Sequence, residues 1–302
     1  MTLRRALAWL ALCALTLAFP ALGEPAAAPG ATVMPEAADA PEATEPPMIV
    51  FFDETEPPKT PQATAAPEGG ALIPEGGVVP SMVKMIEVER RLPLTGVKIG
   101  IDPGHQAHGN SERETVAPNS KEKKAKVSSG TSGVATGIPE YMTVLEIAFK
   151  LRDALQLQGA EVFMTRESHD VDISNQERAR MMNDYGVDLV LRIHCDGVDN
   201  RKKSGIALYC SRSNSIAEES YRAAEAILPA VCAATGAKDN GIVSNDNYTG
   251  QNWSEVPCIM VECGFMSNPD EDRLLNDEDY QWKLARGLTE GIIDYIEARE
   301  GE

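Results

Sequence analysis

Two short apolar segments of this chain each end on a histidine. Residues 98–105 read Lys-Ile-Gly-Ile-Asp-Pro-Gly-His, so an apolar β-type run enters an Asp-Pro-Gly turn that is followed by His105. Residues 189–194 read Leu-Val-Leu-Arg-Ile-His, which predicts a second buried strand that ends at His194. Because open α/β sheets bind ligands beyond the carboxyl ends of their strands, these histidines predict a metal site at one sheet edge.

The rest of the chain alternates between strand and helix patterns. Further strands are predicted at 160–164, 205–210 and 257–262, and helices at 138–158, within 170–186, at 215–235 and at 280–298. This alternation predicts an α/β fold, a single domain with a twisted, largely parallel sheet flanked by helices on both faces. The polar stretch 106–137 is expected to be a long loop, either functional or disordered.

The first 94 residues divide into a predicted export signal and a linker. Residues 1–23 combine two arginines, an apolar run at 6–19 and small residues at 21–23, which is typical of a signal peptide cleaved after Gly23. An uncleaved anchor is the alternative, but the run is short for a membrane helix of about 20 residues. Residues 24–94 are rich in Pro, Ala and Glu and are expected to be mostly disordered. We therefore expect a folded catalytic domain at 95–300 of a secreted protein, in the cell wall or periplasm, with no stable membrane span after cleavage.

The net charge argues against nucleic-acid binding, and the cysteine spacing contains no CxxC motif. A net charge of -18 argues against nucleic acid as a partner, because phosphate contacts need clustered Lys and Arg. The basic cluster at 121–126 is interpreted as a solvated loop. Five cysteines remain after residue 23 and none forms a CxxC motif, so we interpret them as mainly core residues without assigning any pairing.

Four side chains are candidates for the chemistry. His105, Glu140 and His194 meet the ligand count of a catalytic zinc, which has three His or carboxylate ligands and an open fourth position. Glu140 also opens a predicted helix, where an acid stabilises the helix terminus without any metal. Glu262 ends an apolar strand, where a carboxyl group needs a partner or a shifted pKa, so it is the candidate general acid and base.

Two other histidines compete with these candidates. His108 follows His105 by three residues and His169 lies in a Ser-His-Asp segment. Both sit in polar surroundings and are expected to be loop residues. Asp102 is a candidate for orienting the turn or its histidine, because metal-binding histidines are usually held by a second hydrogen-bonding group.

The order of the motifs resembles the zinc-dependent N-acetylmuramoyl-L-alanine amidases of the bacterial cell wall. The resemblance covers about 97–296 and is carried by Ile101 to His105, Glu140 with Leu145, Ile147 and Ala148, Thr165-Arg166, 170–178, Asn183, Ile193-His194 and Val261 to Asn268. It implies that His105, Glu140 and His194 bind one Zn²⁺ and that Glu262 is the catalytic acid and base. It also implies peptidoglycan as substrate, with cleavage of the amide between the lactyl group of N-acetylmuramic acid and L-alanine.

The sequence departs from the family pattern near the predicted cleft. Arg192 stands where a serine commonly precedes Ile-His, Cys195-Asp196 replaces Ala-Asn, and Gln106 stands where glycine is frequent. These positions leave the substrate preference open. The interval between His194 and Glu262 is filled by predicted elements, so we expect none of the extra helix that blocks autoinhibited members.

Alternatives from other classes stay open on the sequence alone. They are a different zinc peptidase of wall peptides, a wall-binding module that kept the fold without turnover, and, least favoured, a structural surface protein. We expect the domain to be a monomer.

Overall fold

The computed structural model describes residues 91–301 of the chain. The predicted signal peptide and all but the last four residues of the predicted linker lie outside this range. Leu94, the last residue of that linker, is fully buried in the main apolar core. No helix within 91–301 combines the length and the apolar character needed to cross a membrane.

Residues 91–301 form eight strands and six helices. In chain order they are β1 (Lys98–Pro103), β2 (Asn110–Thr115), β3 (Lys123–Val127), α1 (Glu140–Leu157), β4 (Glu161–Met164), α2 (Asn175–Tyr185), β5 (Leu189–Asp196), β6 (Ile206–Cys210), α3 (Ala217–Thr235), β7 (Asp239–Ser244), α4 (Thr249–Asn252), β8 (Cys258–Phe265), α5 (Pro269–Leu275) and α6 (Glu278–Glu300). Every strand and helix predicted from the sequence is present. The short elements β7, α4 and α5 were not predicted.

Six of the strands form one sheet in the order β4-β1-β5-β8-β6-β7. The strands β4, β1, β5 and β8 are parallel, whereas β6 runs antiparallel to β8 and pairs in parallel with β7. The prediction of a largely parallel α/β sheet is therefore confirmed. The consequence for function is that β1, β5 and β8, three adjacent parallel strands, bring their carboxyl ends to one edge.

Helices cover both faces of this sheet. Alternate residues of β5 point to opposite faces. Leu189 and Leu191 belong to the core that includes α1, α3 and α6, whereas Val190 packs with Met182 of α2. On the first face α6 crosses α3 so closely that a Cβ on Gly291 would lie 2.5 Å from the Cα of Ile227.

The stretch 106–137 is not a plain loop. It contains β2 and β3, which pair as a separate antiparallel hairpin. Most hairpin side chains are exposed or half-buried, so the segment lacks the alternation of apolar and polar residues that identifies a strand in a sequence. The segment between this hairpin and α1 is fixed by the buried Asp272. Its Oδ2 accepts hydrogen bonds from the backbone N–H groups of Ala135 and Thr136 at 2.7 and 2.8 Å.

Candidate metal centre

The strand ends bring the predicted site residues together. In the sheet, Pro103 at the end of β1 pairs with Ile193, and His194 on β5 pairs directly with Glu262 on β8. His105 follows β1 by two residues. The three candidate residues on the sheet therefore meet at one edge, and α1 adds Glu140 from its first turn.

His105, Glu140 and His194 form a compact cluster. One potential ligand atom from each lies within 4.8 Å of those of the other two. His105 Nε2 lies 3.1 Å from Glu140 Oε2, and His194 Nδ1 lies 3.3 Å from Glu140 Oε1. The two imidazole rings meet edge to face with centroids 4.8 Å apart. Within 91–301 this is the one group of three or more His, Cys, Asp or Glu side chains with such spacing.

Backbone amides hold the carboxylate of Glu140 in place. The N–H of Thr131 donates to Oε2 and the N–H of Cys195 donates to Oε1, each at 3.0 Å. Burial raises the pKa of Glu140, but the contacts with His105 and His194 outweigh burial and hold the pKa well below its ordinary value. Glu140 is therefore an ionised carboxylate in a fixed orientation. An acid that only stabilised the N-terminus of α1 would not need these contacts.

The main chain at His105 adopts an unusual conformation. His105 has φ 60°, in the left-handed region that few residues other than glycine adopt. Two buried arginines hold the carbonyls around it: Arg166 binds those of Pro103 and Gly104, and Arg178 binds those of Pro103 and His105, at 2.8–3.0 Å. These hydrogen bonds compensate the free-energy cost of the left-handed backbone conformation and fix the direction of the imidazole.

The second nitrogen of His105 is held by the segment that follows β3. Its Nδ1 lies 3.0 Å from both the carbonyl oxygen and the Oγ of Ser128. A proton on Nδ1 leaves the lone pair of Nε2 available to bind a metal ion beside Glu140. Gly130 lies in the same segment and has φ +80°. A Cβ at this position would lie 2.7 Å from Glu140 Oε2 and 2.9 Å from the His105 ring.

Asp102 organises the turn and does not touch the His105 side chain through a direct hydrogen bond. Its Oδ1 accepts hydrogen bonds from Thr165 (2.5 Å) and Arg178 (2.8 Å), and its Oδ2 accepts one from Arg192 (2.7 Å). Burial raises the pKa of Asp102, but Arg178 and Arg192 outweigh burial and hold the pKa well below its usual range. Arg192, one of the departures from the family pattern, is therefore the ion-pair partner of a buried carboxylate.

Glu262 is a buried carboxyl group with an incomplete set of partners. The residue is 9% exposed, and its Oε2 has no hydrogen-bond partner among the described residues. Burial and the neighbouring carboxylates of Glu140 and Asp196 raise its pKa well above the ordinary value. A carboxyl group in this state can hold a proton near neutral pH, as a general acid requires.

His194 is half-buried and also has a buried, unpartnered atom, since its Nε2 has no hydrogen-bond partner among the described residues. Burial lowers the pKa of His194 to about 4, against the opposing effect of Glu140. The imidazole is therefore neutral at physiological pH. A neutral imidazole is the form that binds metals.

The two other histidines lie away from the cluster. His108 lines a separate surface cavity with Asp170 and Asp172. His169 is half-buried rather than an exposed loop residue, and its ring meets Tyr141 edge to face at 5.4 Å. The five cysteines within 91–301 are free, and all but the half-buried Cys232 are buried, as expected of core residues.

An open cavity of about 470 Å³ lies over the cluster. One side is formed by the three clustered residues and Glu262. The remaining lining includes Lys124, Ala125 and Val127 of β3, Asn175 and Arg192, and Asn247, Tyr248 and Thr249 before and in α4. The candidate ligands line this cavity, so a molecule bound in it would lie beside them.

Comparison with known proteins identifies the family. The sequence profile of the N-acetylmuramoyl-L-alanine amidase family Amidase_3 matches residues 99–294, which is more than half of the chain. The chain belongs to this family. It is therefore a hydrolase of peptidoglycan, an N-acetylmuramoyl-L-alanine amidase, and the predicted fold and activity are confirmed.

Individual relatives agree with this assignment. The chain is 30% identical over 221 residues to the germination-specific N-acetylmuramoyl-L-alanine amidase of Bacillus subtilis, with 68% of this chain and 82% of that protein covered. It is 26% identical to the amidase LytC of B. subtilis over 72% of this chain, but the match spans only 39% of LytC. The crystal structure of the amidase Ami1 from Mycobacterium smegmatis shares the fold, with a TM-score of 0.63, 23% identity, and 68% of this amidase and 99% of Ami1 covered.

Several residues that build the site were not recognised as functional from the sequence. Ser128 and Thr131 lie in the stretch that was expected to be a loop. Arg166 and Arg178 appeared only as members of the motif order. Their sequence neighbours are mostly polar, Thr-Arg-Glu around Arg166 and Gln-Glu-Arg-Ala-Arg around Arg178, so no local signal marks Arg178 as one of the largest fully buried side chains of the domain.

Proposed function

We propose that this amidase is a zinc enzyme in which His105, Glu140 and His194 hold the ion and Glu262 transfers protons. The observation that carries the proposal is the convergence of three potential ligand atoms within 4.8 Å, beside a buried carboxyl group on the paired strand. Such a ligand set leaves a fourth position for water or substrate.

The residues fit a zinc ion on three grounds. Two ligand atoms bound to a tetrahedral zinc lie about 3.3 Å apart, given metal–ligand distances of about 2.0–2.1 Å. The His–Glu separations of 3.1 and 3.3 Å, each to a different carboxylate oxygen of Glu140, are close to this edge length. The pKa shifts of Glu140 and His194 also favour the protonation states that a metal ion requires, and Ser128 supplies the hydrogen bond to the remaining nitrogen of His105 that zinc-binding histidines usually have.

The mechanism assigns a task to each residue. Held by His105, Glu140 and His194, a zinc ion would lower the pKa of a bound water to about 7 and polarise a carbonyl group. Glu262 accepts the proton of the attacking water and returns it to the alanine nitrogen as the amide C–N bond breaks. Its buried position and raised pKa suit the second step, because the carboxyl group retains the proton until the amine leaves.

The decisive experiment is digestion of purified peptidoglycan, with and without a chelator and with zinc added back. We expect new free amino groups on L-alanine that require the metal, without new reducing sugar ends. New amino termini on other residues would instead identify a wall peptidase, and reducing ends would identify a glycosidase. Binding without any product would support a wall-binding module. Each of these three results refutes the proposal.

The architecture outside the site is also proposed. We propose an exported protein with a signal peptide at 1–23, a mostly disordered linker at 24–94 and a monomeric catalytic domain at 95–300, in line with the extracytoplasmic site of the family's substrate. Light scattering of the purified chain tests the monomer, and N-terminal sequencing of the exported protein tests cleavage after Gly23.

We further propose that the domain is active without an activator. Between His194 and Glu262 the chain forms β6, α3, β7 and α4, and α3 packs into the core against α6 instead of crossing the cavity. Negligible basal activity of the zinc-loaded domain would contradict this part of the proposal.

A further inference from the structure

The basic cluster at 121–126 contributes Lys124 and Ala125 to the wall of the cavity over the metal cluster. In a chain of net charge -18, four of its six residues are lysines, and three of them belong to β3. Of these lysines, Lys124 alone lines the cavity over the metal cluster. The cluster is therefore more than the solvated loop that the sequence indicated, because Lys124 places a cation on the wall of the cavity that holds the metal cluster.

The neighbouring basic groups already have partners on the hairpin. Lys126 Nζ pairs with Glu112 Oε2 at 2.7 Å, and the guanidinium of Arg113 binds the carbonyl of Lys123. Lys124 differs from them. Its Nζ donates to the carbonyl oxygen of Asn247 at 2.7 Å, on the segment that leads to α4, and no carboxylate of residues 91–301 lies within salt-bridge distance of it. Its charge is unbalanced at short range.

A carboxylate of the substrate would complete this contact. An ionised acceptor forms a shorter and stronger hydrogen bond with an ammonium group than a neutral carbonyl does. Lys124 is half-buried in the cavity wall, so an anion bound to its ammonium group would be partly shielded from solvent. In the stem peptide, L-alanine is followed by an acidic residue whose α-carboxyl is free in some walls and amidated in others.

We propose that Lys124 binds this α-carboxylate and makes the enzyme selective for stem peptides in which it is free. The inference rests on the proposed function, because it takes the scissile bond to lie over the metal cluster. It assigns Lys124 a role in specificity. The alternative is that Lys124 only ties the hairpin to the segment before α4 through Asn247.

Matched substrates separate the two roles. The zinc-loaded chain is assayed on two soluble muramyl peptides that differ only in a free or an amidated α-carboxyl at the second residue. We expect the wild type to prefer the free carboxylate about tenfold in kcat/KM, mainly through KM, which corresponds to about 1.4 kcal/mol. Lys124→Met should reduce this ratio to about one, and Lys124→Arg should keep most of it.

Lys123→Met is the matched control, since it removes the same charge from the adjacent exposed position of β3 without reaching the cavity. The ratio for this variant should stay at the wild-type value. Equal cleavage of both substrates by the wild type would overturn the inference, as would a Lys124→Met variant that loses activity on both substrates equally. If the wild type cleaves neither substrate with zinc present, the proposed function itself fails, a result distinct from loss of selectivity.

Discussion

Replacing Asp102 by asparagine should destabilise the domain strongly while leaving its shape almost unchanged. Asparagine is nearly isosteric but offers one acceptor oxygen, whereas Asp102 uses both oxygens, one facing Thr165 and Arg178 and the other facing Arg192. In either orientation of the amide, an N–H donor faces an arginine donor. Arg178 and Arg192 are 1% and 6% exposed in their side chains, so solvent cannot replace the lost partner.

The size of the loss follows from this burial. Removing one member of a buried ion pair costs about 3–5 kcal/mol, because an uncompensated charge stays in the interior. For a domain of this size each kcal/mol lowers Tm by about 2–4 °C, so a fall of roughly 10 °C is expected. Glu112→Gln is the control, because it breaks a pair of equal length, 2.7 Å, whose carboxylate is 74% exposed. It should leave Tm unchanged.

The effect should also depend on pH with a defined sign. Since the folded-state pKa of Asp102 is depressed, its stabilisation is fully present above the unfolded pKa of about 4 and is lost as the pH falls toward the folded-state pKa. The difference in unfolding free energy between wild type and Asp102→Asn, measured by urea titration, should therefore be constant from pH 5 to 7 and shrink below about pH 4. A Tm change under 2 °C, or a difference that grows in acid, would refute the reasoning.

Three other substitutions test separate parts of the structure. Glu262→Gln should lower kcat by about 100- to 10,000-fold with zinc content unchanged by metal analysis, and full activity would show that another group is the base. Gly130→Ala should weaken zinc binding at least tenfold in a chelator competition, because its Cβ would meet Glu140 and His105; Gly137→Ala, at a similar positive φ with open space around it, is the control that should bind normally. Gly291→Ala should lower the free energy of unfolding by about 1–3 kcal/mol, because α6 must move away from Ile227. Its activity per folded molecule should stay at the wild-type level.

The positions of His105, His194 and Glu262 were predictable because they depend on local rules. Each lies at or just beyond the carboxyl end of an apolar run, and parallel strands bring such ends to one edge whatever the order of the strands. Glu140 was less certain, since an acid in a first helical turn has an adequate explanation without a metal. Its contacts with the amides of Thr131 and Cys195 fix the orientation of the carboxylate, and they depend on tertiary structure that the sequence pattern does not show.

The hairpin and the small elements were missed for a physical reason. Strands β2 and β3 bury little on either face, so no apolar periodicity marks them, and β7 is an edge strand that contains Asp, Asn and Gly. What stabilises them is pairing with another strand. The role of Ser128 and the placement of Lys124 follow from the path of this hairpin, and for that reason the composition of 121–126 indicated only a solvated loop.

The dispersal of the metal cluster along the chain has a consequence for the order of folding. Glu140 and His194 are separated by 54 residues, and His105 meets them only when β1 and β5 have paired in the sheet. Contacts of such long range form late, because the loop-closure entropy has to be overcome first. A metal ion bound by this cluster would therefore act on the folded chain, stabilising it by mass action without nucleating it. Refolding rates should be independent of zinc, whereas unfolding should slow as zinc is added.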